Sequence, residues 1–146
     1  RLKVAILTPA SPSTVPSHVL FTVDFRHPDL KTFVELGGKI KGVCEANARG
    51  CRVEVERIIY SEPVVFDPAV IDLVRGSAEA LNLPHMDMVS GAGHDAMHVA
   101  ALCPTGMIFV PCEKGLSHNE AENATASDLA AGARVLAACL VGLANG

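Results

Sequence analysis

The residues with most chemistry to offer lie between Val89 and Glu122, in V-S-G-A-G-H-D-A-M-H-V-A-A-L-C-P-T-G-M-I-F-V-P-C-E-K-G-L-S-H-N-E-A-E. Gly91 and Gly93 permit a tight turn that delivers His94 and Asp95 to a predicted helix start. An imidazole there can donate a hydrogen bond to an anion or a developing oxyanion, helped by the positive end of the helix. The simpler alternative is a helix start capped by Asp95 with His94 solvated. An apolar segment follows, and then a polar loop carries Ser117, His118 and Glu122. His118 is the best metal-ligand candidate, because imidazole suits zinc and loops after strands are where open α/β sheets place their sites. Taken alone, a loop histidine is ordinarily just solvated. The third group is Arg26, in V-D-F-R-H-P-D at the end of an alternating segment. Its guanidinium fork matches a carboxylate, although locally a plain surface charge is the simpler reading.

One constellation imitates a metal site. His94-Asp95-Ala96-Met97-His98 places two histidines four apart, as in the H-E-x-x-H helix of zinc proteases. Aspartate in place of glutamate holds the carboxylate about one methylene too far back, and no third ligand follows at the expected spacing. His98 therefore reads as an ordinary half-buried helix residue, and Glu120 as facing solvent.

The elements that must position these groups divide into two sets. Leu2 to Leu7 and Val19 to Phe25 read as strands, Leu30 to Ala48 as a helix weakened at Gly37-Gly38, and Cys51 to Tyr60 as the clearest strand of the chain. That succession suggests a small open-faced α+β sandwich. After a linker, Ser61 to Pro68, Asp67 caps a helix with Pro68 at its first position that runs to about Leu81. Met86 to Val89 is a candidate short strand, a helix starts near His94, and Gly106 to Pro111 is a candidate buried strand. Ser127 or Asp128 caps a last helix, Leu129 to Ala144, apolar around most of its circumference and expected to be buried against a sheet. The second set is part of a doubly wound α/β sheet. Its apolar excess argues for more protein around it.

Composition narrows the function classes. The 146 residues are 49% hydrophobic and 4% aromatic, so the core must be aliphatic, which suits an α/β class. A net charge of -4 without a basic patch argues against nucleic acid as a partner. The most apolar run, Val135 to Ala144, is short for a bilayer, and the N-terminus is no convincing signal peptide. The five cysteines (44, 51, 103, 112 and 139) form no C-x-x-C pair and read as reduced, mostly buried thiols of a cytoplasmic protein.

Ser90 to Asp95 (S-G-A-G-H-D) and Met107 to Glu122 resemble the C-terminal catalytic segment of the zinc amidohydrolases that include N-carbamoyl-L-amino-acid hydrolase, β-ureidopropionase and allantoate amidohydrolase. Val19 to Asp29 resembles the same family more moderately. The resemblance implies that residues 1 to 62 are the latter part of a lid or dimerisation domain. Residues 63 to 146 would be the C-terminal part of a zinc-exopeptidase-like catalytic domain. It implies that His94 contacts substrate and polarises the scissile group, that His118 binds one zinc of a two-metal centre, and that Arg26 clamps a substrate carboxylate. Asp95 and Glu122 would be supporting residues, Glu122 orienting the loop or the imidazole of His118. In S-T-V-P, Ser13 stands where the family usually has the asparagine of N-V-I-P, a departure that bears on substrate class.

The family's other metal ligands and its glutamate base have no counterpart here. One histidine cannot hold zinc by itself, so the chain alone is expected to be inactive, a portion of a larger enzyme or of a split one. The reaction implied for the complete enzyme is hydrolysis of a linear amide or ureido C–N bond by metal-activated water. Two zinc ions per subunit are implied, with manganese, cobalt or nickel as alternatives. The favoured substrates are N-carbamoyl amino acids or allantoate-like ureides, with N-acyl amino acids or peptides as the alternative. A homodimer formed through the lid is implied. Two other readings stay open: a truncated, non-catalytic dimerisation or binding protein, and a mononuclear zinc protein using His94 and His98.

Overall fold

The computed structural model describes residues 2–145, with side chains from residue 6 onward. The chain divides into two units, Arg1–Pro63 and Val64–Gly146.

In the first unit, β1 (Leu2–Thr8) and β2 (His18–Val23) pair antiparallel, from Leu2 opposite Val23 to Thr8 opposite His18, with a register irregularity between Val4 and Ile6. The connection closes where Ser17 donates from its N–H (2.7 Å) and its hydroxyl (3.0 Å) to the Thr8 carbonyl. Helix α1 (Leu30–Ala46) starts at Asp29, whose Oδ1 accepts from Thr32 N at 2.8 Å and Thr32 Oγ1 at 2.6 Å. These bonds to the ionised form hold the Asp29 carboxyl below the usual aspartate range. The helix runs unbroken through Gly37 and Gly38. Phe33 is buried between Phe25 and Tyr60, with ring centroids 5.1 and 5.6 Å away.

Cys51 to Tyr60 is not a strand, and among the described residues the sheet has two strands only. Alternation decides which side chains share a face, but a strand also needs a neighbour for its ladder hydrogen bonds. Among the described residues the first unit is a two-stranded sheet with helix α1, and Ile58 and Ile59 stay exposed.

The second unit is built on α2 (Pro68–Ala80) and α4 (Ala126–Asn145). Asp67 caps α2, its Oδ1 accepting from Ala69 N at 2.9 Å and Val70 N at 3.1 Å, with Pro68 at the first position. The helix closes on Asn82 in the left-handed region (φ 54°), with Leu83 N donating to Ala78 O and Asn82 N to Glu79 O, both 2.9 Å. This C-terminal motif folds Leu83 back onto the helix it ends. Ala78, Val135 and Cys139 are buried together, with Leu73, Val74, Leu81, Leu83 and Ile108 packed around them. At the start of α4, Thr125 Oγ1 accepts from Asp128 N at 3.1 Å and donates to Asp128 Oδ2 at 2.6 Å. The cap is therefore Thr125, two or three residues before the expected cap at Ser127 or Asp128.

Met86 to Val89 and Gly106 to Pro111 form no strand among the described residues. The second segment is nonetheless held. A Cβ on Gly106 would lie 2.7 Å from Val70 Cγ1, and one on Gly132 would lie 2.5 Å from Val110 Cγ1. Backbone contact that close lets the segment sit against both helices without being laddered into a sheet.

Much apolar surface is left uncovered. Accessible area is 11608 Å², against roughly 8,600 Å² for two separate compact units of these lengths. Helix α4 buries only its Val135–Cys139 stripe, and Leu136, Leu140, Val141 and Leu143 are exposed. The expectation that it is buried against a sheet is corrected: it packs on α2. Its length and mean hydropathy of 1.5 suffice to cross a membrane, although Val135 to Ala144 alone looked too short, and a soluble core helix meets the same test. Of the five free cysteines only Cys139 is buried, so the mostly buried reading fails too. Three of the others lie in loops or irregular segments.

Candidate functional site

His94 lies between the glycine turn and α3 (Ala96–Val99), a helix of four residues. It is half-buried, and its ring meets Phe109 edge-on at a centroid distance of 5.5 Å and 63°. His94 Nε2 lies 2.8 Å from Ser90 Oγ, and Ser90 Oγ in turn accepts from Ala92 N at 3.1 Å. The ring is thus fixed at one nitrogen and one edge. Asp95 occupies the N-cap position of α3 without a side-chain cap bond; it acts through its carbonyl, which accepts from His98 N at 2.9 Å and Val99 N at 3.2 Å. The capped-helix alternative is corrected accordingly. So is the half-buried reading of His98, which is exposed. His94 precedes the helical turn and is bonded to Ser90, so the two histidines do not form the one-face pair of a zinc-protease helix.

The loop after Val110 is tied at both ends. Glu113 N donates to Asn123 O at 2.7 Å, and Asn123 Nδ2 donates to Glu113 Oε2 at 3.1 Å. Inside it, a 3₁₀ turn (Glu113–Gly115) leads to His118. His118 has φ 56°, in the left-handed region that a β-carbon resists. Glu122 holds it there: Oε2 accepts the His118 N–H at 2.7 Å, while Oε1 is 3.9 Å from the Cys112 thiol, and Glu122 N donates to Asn119 O at 2.9 Å. Glu122 therefore braces the backbone at His118. Both His118 and Glu120 are exposed.

Arg26 and Ser13 belong to the first unit. Arg26 grips Asp24 with both prongs, Nε to Oδ1 at 3.2 Å and Nη2 to Oδ2 at 2.9 Å. That carboxylate stabilises the guanidinium charge further and raises its pKa. The fork expected to receive a carboxylate already presents the right geometry, with Asp24 in it. Ser13 is exposed, its Oγ 3.3 Å from Ser11 Oγ.

Among the described residues no three His, Cys, Asp or Glu side chains gather into a metal-binding group. The described residues do not by themselves fit a metal centre. Sequence reasoning passed over Ser90. The signal was there in a hydroxyl four residues before the histidine, across a glycine turn.

Residues 4–141 match the Peptidase family M20/M25/M40. The chain belongs to that metal-dependent family. It is 44% identical over 133 residues to the N-carbamoyl-L-amino-acid amidohydrolase of Rhizobium meliloti, covering 88% of this chain and 32% of that protein. Among solved structures, it resembles the amidase of the hydantoinase/carbamoylase family from Burkholderia vietnamiensis, with TM-score 0.81 and 38% identity over 97% of this chain and 35% of the other. It also resembles AtUAH in complex with glyoxylate, with TM-score 0.78 and 32% identity over 100% of this chain and 36% of the other. The chain thus spans about a third of the length of the relatives it matches. The fold relationship holds, and the described residues show mixed helices with a two-stranded sheet.

Proposed function

We propose that this chain contributes substrate-binding and metal-holding residues to an amidohydrolase of the hydantoinase/carbamoylase branch that hydrolyses linear amide or ureido C–N bonds. The observation that carries the reading is the half-buried His94, held by Ser90 and Phe109 within the S-G-A-G-H-D segment. Its similarity to an N-carbamoyl-L-amino-acid amidohydrolase supports the same assignment. Zinc, two ions per subunit, is the favoured metal, with manganese, cobalt or nickel as alternatives. It supplies a polarised carbonyl and an activated water when bound. His118 offers one imidazole to it, from a backbone braced by Glu122. His94 donates a hydrogen bond to the oxygen on which charge develops. Arg26 exchanges Asp24 for the substrate carboxylate, and Ser13 offers one hydroxyl where a carboxamide is usual. The carboxylate ligand of the AtUAH complex supports a small carboxylate substrate.

On this reading the first unit is part of a lid through which the enzyme dimerises, and the second is part of a doubly wound catalytic domain. Neither nucleic acid nor membrane is a partner, α4 is a core helix, and the enzyme is cytoplasmic. The test is a kinetic split in the protein expressed from its native gene. Arg26→Lys should raise KM for an N-carbamoyl amino acid much more than for the matching amino-acid amide, which lacks the carboxylate. Equal effects on both would remove Arg26 from the substrate site.

A further inference from the structure

We propose that Ser90 is a positioning residue that sets the tautomer of His94, holding the proton on Nδ1 so that Nδ1–H is the donor presented to substrate. The proposal rests on the reading of His94 as a hydrogen-bond donor and adds which nitrogen donates and what makes it do so.

A serine hydroxyl has one proton to give and two lone pairs to accept with. The backbone N–H of Ala92 takes one lone pair of Ser90 Oγ at 3.1 Å. The half-buried hydroxyl proton then needs an acceptor, and His94 Nε2 stands at 2.8 Å. If Nε2 carried the proton, Ser90 Oγ would accept twice and its own O–H would lose this partner, at a cost in a partly buried site. The favoured arrangement is Ala92 N–H to Ser90 Oγ and Ser90 O–H to His94 Nε2. A neutral imidazole accepting at Nε2 is protonated at Nδ1. The edge contact with Phe109 restrains the ring against the flip that would exchange the two nitrogens. The geometry also explains the spacing of the motif. A serine at position 90 reaches a histidine at position 94 only because the intervening glycine turn brings Ala92 N–H and the ring to the same oxygen.

The tautomer is read without substrate, so its failure is separable from failure of the hydrolase reading. The full chain labelled with ¹⁵N at histidine is examined above the ordinary histidine titration range, with His94→Asn used to assign the signals. Wild type should show a protonated Nδ1 and an acceptor-type Nε2 at His94. Ser90→Ala should move His94 toward the Nε2–H form usual for free histidine, and Ser90→Thr, which keeps the hydroxyl, should restore the wild-type pattern. If Ser90→Ala does not fold, the comparison of wild type with Ser90→Thr still decides: a protonated Nε2 in both overturns the proposal. A wild-type Nδ1–H tautomer that persists in a folded Ser90→Ala protein overturns it as well.

Discussion

Substituting Gly106 by alanine tests how the site-bearing segment is held. The added Cβ would lie 2.7 Å from Val70 Cγ1 and 3.6 Å from Val70 Cβ. Ordinary carbon contacts lie at about 3.5–4.0 Å, so one atom pair is overlapped by close to 1 Å. Val70 is in the first turn of α2, where a β-branched side chain has one strongly preferred rotamer and cannot swing aside freely. Overpacking of this kind costs about 1–3 kcal/mol. Alanine restricts the unfolded chain and returns about 0.4–1 kcal/mol, since Gly106 is not among the glycines with positive φ. The net expectation is a loss of about 1–2 kcal/mol, each kcal/mol lowering Tm by about 4–8 °C in a unit of this size. Urea and thermal denaturation of Gly106→Ala, Val70→Ala and the double variant form the assay. Val70→Ala removes the obstructing methyls, so the double variant should be more stable than additivity allows by about 1 kcal/mol or more. An alanine at 106 that is neutral or stabilising, or a strictly additive cycle, would refute the close-approach argument.

Other outcomes follow from the same structure. Thr125→Ala removes the acceptor for Asp128 N and should cost about 1 kcal/mol in thermal denaturation, with Thr125→Ser recovering most of it. Glu122→Gln weakens the brace on the His118 N–H and should lower metal affinity of the complete enzyme about 10-fold or more by calorimetric titration. Asp87 has its carboxyl held below the usual aspartate range by hydrogen bonds from Arg75. A lowered folded value means that this contribution is complete above the unfolded aspartate value and is lost as pH falls through the lowered one. Asp87→Asn should flatten that acid limb of the stability profile, and added salt should flatten it in wild type, because the pair is exposed.

Local signals in the sequence were strong where a few adjacent residues suffice. The two strands β1 and β2, helix α1 from Leu30, and α2 opened by Asp67-Pro68 and ending near Leu81 all follow from caps and period. Cys51 to Tyr60 shows the limit. Its alternation is the cleanest in the chain, yet pairing depends on a neighbour that the segment's own residues do not encode. Gly106 to Pro111 fails likewise, being held by helix contacts at Gly106 and Gly132 that no pattern along the chain announces. Residue types singled out His94, His118 and Arg26 as candidates, but their fastenings were not legible. The Ser90 bond crosses a turn, the Glu122 carboxylate grips backbone where an imidazole was one of the expected targets, and Asp24 fills the Arg26 fork. Each depends on backbone dihedrals, such as the left-handed His118, that composition leaves open.

We propose that the complete enzyme hydrolyses a ureido C–N bond in a metal-dependent way. The most direct test is ammonia release from an N-carbamoyl-L-amino acid and from allantoate by the protein purified from its native gene, before and after chelation and after zinc is restored, with a dipeptide alongside. The expected result is turnover of a ureido substrate that chelation abolishes and zinc returns, with the dipeptide left intact. Hydrolysis of the dipeptide alone, or ureido turnover that survives complete removal of metal, would contradict it.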